Sequence, residues 1–129
     1  MSDKIRIGDL SATIEGLLEE YGEGIRDELD RVIPAVAKDT SRKVRDNAKK
    51  AKLERTGAYA KGWKVKVEKN ILGDTKATVY NAEKPGLPHL LEFGHATRNG
   101  GRTQPVEHIK PAEDWAASES VKRVKEAIG

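Results

Sequence analysis

His89, Glu92 and His95 are set three residues apart, and His108 follows downstream. Imidazoles and a carboxylate are a zinc donor set, so the H-x-x-E-x-x-H spacing raises metal binding and, as the least favoured reading, metal-dependent hydrolysis. Helix geometry argues against both. Two histidines six apart are rotated by about 600° on an ideal helix, onto opposite sides. The zinc-protease pattern sets its histidines four apart on one face. Gly94 also reads as a helix stop ahead of His95. The competing reading is structural. His89 packs or hydrogen-bonds against a neighbouring hairpin, Glu92 pairs with a cation or caps backbone donors, and Leu90, Leu91 and Phe93 fill the core. No metal and no other cofactor is expected.

The remaining catalytic options are poor. The chain has no cysteine, which excludes a thiol nucleophile, a disulfide framework and a thiolate metal site. No serine lies in G-x-S-x-G. The carboxylate pairs Glu19-Glu20 and Glu113-Asp114 fall at helix starts, where negative charge suits the helix dipole. The expectation is that this is not an enzyme.

Two polar segments suggest binding instead. Lys38, Arg42, Arg45, Lys49 and Lys52 fall along one helix face, and such a row can track phosphates or contact an acidic neighbour. Asp39, Asp46 and Glu54 interrupt it, and no sequence-reading DNA motif accompanies it. The row is therefore read as a non-specific DNA contact or a subunit contact, against a plain solvated face. Arg98-Asn99-Gly100-Gly101-Arg102 resembles a phosphate loop only in its glycines, because it lacks the Gly-Lys-Ser/Thr ending. It is expected to dock on another subunit or partner.

These residues need elements to hold them. Apolar side chains from Leu10 to Val44 recur at helical spacing, which predicts a long N-terminal helix capped by Asp9 or Ser11. Pro34 predicts a kink or break near Val32–Pro34, with Gly22 and Gly24 weakening the first half. The second piece is placed from about Pro34 to Leu53. Arg55-Thr56-Gly57 reads as a stop. Gly62–Lys69 alternates, with Trp63, Val65 and Val67 inward and Lys64, Lys66 and Glu68 outward. A turn across residues 70–75 leads to a second strand, Lys76–Asn81. Pro88 opens a short helix, His89–Phe93. Asn99-Gly100 fits a hairpin tip, although the stretch Ala96–Gln104 equally fits an arm that is mobile before assembly. Val106–Ile109 is expected as a third strand. Pro111 starts a last helix whose apolar face is Trp115, Ser118, Val121, Val124 and Ile128. The fold class is α+β, in one domain over residues 1–129: a helical region to residue 55, then a small antiparallel sheet with short and C-terminal helices.

Charged residues make up 35% of the chain, above the usual quarter, so the core is small and an oligomer is a natural way to complete it. Charge is unevenly spread. Residues 1–37 hold 4 basic and 9 acidic side chains, and residues 38–55 hold 8 and 3. Such blocks match head to tail between copies. No apolar run approaches the roughly 20 residues of a membrane span, and none is expected.

With Thr56-Gly57, Gly62-Trp63, Pro88-His-Leu-Leu-Glu-Phe-Gly94 and His108-Ile-Lys-Pro-Ala112, the chain resembles the gene-ten-product family of long-tailed phages. These are small head–tail joining (neck or tail-completion) proteins. Trp63, His89, Leu91, Glu92, Phe93, Gly94, His108 and Pro111 stand on the shared structural motif. The family more often carries Leu at Tyr59 and Ser at Gly62. The resemblance implies no metal and no catalysis. It implies a ring, a hexamer in form, between the head connector and the tail tube. It also implies assembly in the host cytoplasm of a phage or prophage, residence at the virion neck, and DNA passing nearby.

Overall fold

The computed structural model describes residues 4–7, 12–53, 56–69 and 75–129. The expected caps Asp9 and Ser11, Arg55 and the turn residues 70–74 lie outside them. The chain order is β1 (Ile5–Ile7), α1 (Ala12–Tyr21), a 3-10 turn (Glu23–Ile25), α2 (Arg26–Lys50), α3 (Ala58–Lys61), β2 (Trp63–Lys69), β3 (Thr75–Asn81), α4 (Leu87–Phe93) and α5 (Lys110–Ile128). The α+β class holds.

Helix α2 is the spine. Its buried residues are Leu29, Val32, Ile33, Val36, Ala37, Thr40, Ser41, Val44 and Ala48, the expected stripe. Two of them are hydroxyls. Thr40 Oγ1 donates to the Val36 carbonyl and Ser41 Oγ to the Lys38 carbonyl, both at 2.7 Å, which satisfies them inside the core. The helical break is present, but at residues 22–25 rather than at Pro34. Gly22 takes φ +76° and its N–H bonds the Leu18 carbonyl at 2.8 Å, a left-handed stop that closes α1. Pro34 lies inside α2, its missing donor absorbed within a 25-residue helix. At the far end Lys52 takes φ +52°. Lys52 N–H bonds the Lys49 carbonyl and Leu53 N–H the Ala48 carbonyl, a Schellman ending built without glycine.

The sheet is antiparallel with order β1-β3-β2, so β3 is central. Its third strand is Ile5–Ile7, paired Ile5 to Val79 and Ile7 to Ala77, and not Val106–Ile109. Residues 106–109 are irregular because their N–H groups serve another purpose, described below. The hairpin of β2 and β3 has the expected alternation, with Trp63 facing Asn81 and Val65 facing Val79. Val67 is the exception: it is 49% exposed, beyond the cover of the helices. One face of the sheet packs on α2, and α2 packs on α5.

The buried face of α5 is Ala112, Ala116, Ser120 and Val124, turned from the expected one. Small residues every fourth position let two helix backbones approach closely, which larger side chains prevent. Ser118 and Ile128 are exposed. Trp115 is half-buried at the rim, covered by the Lys43 ammonium at 4.7 Å and the Arg123 guanidinium at 5.8 Å from its ring. Arg123 also donates to Asp39 of α2 at 2.7 Å.

Candidate functional site

The helix α4 is short, opened by Pro88 and closed by Gly94. Its buried residues are Pro88 and Glu92. Glu92 is 3% exposed, and its oxygens accept three backbone N–H groups at 2.9 Å: His108 and Ile109 on Oε1, Lys110 on Oε2. These are the leading donors of α5, so Glu92 is the cap of that helix, supplied from another element. Of the expected roles for Glu92, capping is the one realised. Glu113 stands in the first turn of α5 as expected, and the buried carboxylate that caps the helix sits 18 residues before Lys110.

His108 is fully buried against this cap. Its Nδ1–H donates to the Val106 carbonyl at 2.9 Å, with Glu92 Oε1 at 3.0 Å. Its Nε2 accepts from the Tyr59 hydroxyl at 2.5 Å. Both ring nitrogens are therefore used by the neutral ring. Burial lowers the His108 pKa below 6.5, more than the Val106 carbonyl and Glu92 raise it. Burial, then the Glu92 charge, push the Tyr59 hydroxyl well above its usual range. Tyr59, Trp63 and His108 meet edge to face, with ring centroids 5.6–6.4 Å apart. Asn47 Nδ2 donates to the His108 carbonyl at 3.1 Å, and Asn81 Nδ2 to the Tyr59 carbonyl at 2.7 Å. A tyrosine, a histidine and a carboxylate in line look like an acid–base relay. Yet Tyr59 and His108 have no exposed surface on which a substrate would be touched. The arrangement instead ties α2, α3, α4 and the start of α5 together.

Tyr59 supplies the hydroxyl that His108 accepts. At Gly62 a Cβ would lie 2.8 Å from the Cβ of Glu83, so serine does not fit without a shift.

The other histidines do not join. His89 is exposed beside Phe93, at 5.1 Å between ring centroids, rather than packed on the hairpin. His95 bonds Thr103, its Nδ1 lying 3.2 Å from Oγ1. Among the described residues no three His, Asp or Glu side chains converge as a metal site. The expected core filling holds only in part: Leu90 is 36% exposed, and Leu91 and Phe93 are half-buried. Leu91 still packs against the core, so the apolar ridge on the outer side of α4 is Leu90 with Phe93.

Beside that ridge residues 96–102 fold as a hairpin. Ala96 pairs with Arg102, Thr97 N–H bonds the Gly101 carbonyl, Gly100 N–H bonds the Thr97 carbonyl, and Gly100 has φ +83°. This is a three-residue loop with a left-handed glycine. Arg98, Asn99, Gly100, Gly101 and Arg102 are all exposed. Its stem is stitched down. Thr103 N–H bonds the His95 carbonyl and Val106 N–H the Leu91 carbonyl, both at 2.9 Å. A Cβ on Gly94 (φ +74°) would lie 2.5 Å from the Thr103 carbonyl oxygen, so glycine is required there twice over. Pro111 sits exposed in the first turn of α5.

The basic row on α2 is divided. Lys38, Arg42 and Lys49 are exposed on the helix, and Lys52 lies past its end. Arg42 pairs with Asp39 at 3.7 Å. Arg45 is half-buried and donates to the Trp63 carbonyl at 2.6 Å, so its charge serves the fold.

Residues 12–94 match the HK97-gp10_like family model, described as "Bacteriophage HK97-gp10, putative tail-component". The span runs from the start of α1 to the glycine that closes α4, well over half of the chain. No curated protein and no solved structure matches the chain significantly.

Proposed function

Because the chain belongs to the HK97-gp10-like family, we propose that it is a structural phage protein acting in head–tail joining. In this reading it is a tail-terminator or neck subunit. Copies close side by side into a six-membered ring at the capsid–tail junction, meeting the head connector on one side and the tail tube on the other. Assembly takes place in the host cytoplasm.

The observation that carries this reading is the exposed pair of α4 ridge and 96–102 hairpin, whose stem is tied down by the bonds Thr103 to His95 and Val106 to Leu91. A surface held in one conformation loses little entropy on docking, which is what an assembly contact needs. The charge layout gives further support. Helix α2 has Asp27 and Glu28 in its first turn and Lys49 and Lys50 in its last, separated by about 33 Å along the helix axis. Heterologous ring contacts bring such unlike ends together.

Deleting Asn99–Arg102 tests the reading. The shortened chain is expected to keep its helical circular dichroism and cooperative melting. It is expected to lose the closed oligomer in light scattering and to fail in a head–tail joining complementation assay. Undiminished joining by the deleted chain would remove the proposal.

A further inference from the structure

The outward face of the sheet is used by nothing above. Alternation along three strands sets its residues in cross-strand rows: Arg6, Thr78 and Lys66 in one, Tyr80 and Lys64 in the next, Lys76 opposite Glu68 in the third. Lys4 lines the same shallow concavity of about 440 Å³. Arg6, Lys64 and Lys66 are exposed, and Lys76, Thr78 and Tyr80 are half-buried. Among the described residues this face holds five cations and one carboxylate, with Lys66 reaching Glu68 at 3.8 Å. Arg6 and Lys66 flank Thr78 about two strand spacings, or 10 Å, apart, and successive rows lie about 7 Å apart.

We infer that this face binds the phosphate backbone of a nucleic-acid duplex without reading its sequence. The face has no apolar centre of the kind that anchors a protein interface. It offers a shallow, open grid of cations to a partner that must carry negative charge every few ångströms, as a duplex does. A single strand fits less well, since its bases stack on aromatic platforms and Tyr80 is the one ring here, half-buried. A second copy also fits less well. Its exposed carboxylates are distributed over separate elements, Glu19 and Glu20 on α1, Asp27 and Asp46 on α2, Asp114 and Glu126 on α5. The α2 row is the weaker candidate, with Arg45 committed to Trp63 and Arg42 to Asp39. The inference does not rest on the ring reading and survives its failure.

Fluorescence anisotropy of a labelled mixed-sequence DNA duplex, titrated with the full chain, tests it. About four phosphate contacts predict an affinity that falls roughly 100-fold between about 50 and about 200 mM salt. The triple variant Arg6→Glu, Lys66→Glu, Lys76→Glu is expected to lose at least about tenfold in affinity and most of the salt slope. The double variant Lys38→Glu, Lys49→Glu on α2 is expected to change affinity by less than the sheet variant does. If the reversed sheet fails to fold, the glutamine triple at the same positions gives the same reading. Three results overturn the inference: no duplex binding at low salt, unchanged affinity in a folded sheet variant, or a sheet variant that loses self-association and keeps its duplex affinity. The last would assign the face to a second copy.

Discussion

Leu90 and Glu92 stand two residues apart on the same short helix, with their usual places exchanged. The carboxylate is 3% exposed and the leucine 36%. On the inner side, three backbone N–H groups arrive with no other acceptor, and a carboxylate with two oxygens answers all of them. On the outer side, Leu90 and Phe93 have no helix above them among the described residues. The chemically suggestive residues Glu92 and His108 thus hold the shape, and apolar residues of ordinary appearance are left on the surface.

That contrast is sharpest at Glu92 itself. Glu92→Gln keeps the shape but offers one oxygen and a competing NH2 where the three donors point. It is expected to cost about 3 kcal/mol, read as a lower urea midpoint at an unchanged slope. A loss under about 1 kcal/mol would mean that the cap is ornamental.

The next test concerns His108. Its folded pKa lies below the ordinary 6.5, so below pH 6.5 the unfolded chain binds a proton that the folded chain refuses. Its contribution to stability is complete above about pH 6.5 and declines as pH falls toward the lowered folded value. Between pH 7.5 and 5.5 the wild type is expected to lose about 1 kcal/mol more than His108→Gln, from urea melts at each pH. Equal losses in the two proteins would break the assignment of a neutral buried ring.

The smallest effect on stability belongs to the outer side. Leu90→Ser is expected to change unfolding free energy by no more than about 0.5 kcal/mol. The same variant is expected to impair joining in complementation. A variant that joins normally would separate the ridge from the assembly surface and leave the hairpin alone in that role.

Much of the scaffold was legible because it rests on local periodicity. The α2 stripe, the alternating hairpin and the short helix between Pro88 and Gly94 each follow from spacing within one element. Misreadings came where a distant segment decides. Pro34 outranks Gly22 as a local breaker, yet a left-handed stop ends a helix outright, whereas an interior proline forfeits one bond that a long, well-packed helix tolerates. The three residues of β1 are too few for periodicity to register. Val106–Ile109 has strand-like composition, but its donors are claimed by Leu91 and Glu92. That Glu92 caps something was readable; that α5 is what it caps was not. The cations on the outer sheet face were visible one strand at a time, and only the β1–β3 pairing gathers Arg6 to Lys66.

That pairing also sets a timetable for the newborn chain. Ile5 and Ile7 find their partners in Val79 and Ala77, 74 and 70 residues later. At about 5–20 residues per second of synthesis, the first strand waits roughly 4–15 s before the strand it needs exists. Helices α1, α2 and α3 precede β3 and can form in that interval, whereas α4 and α5 follow it. Closure of the sheet is therefore a late event of high contact order, and it completes the cationic face at the moment the apolar edge is covered. The protein gains its charged surface and the buried edge of its sheet in a single step.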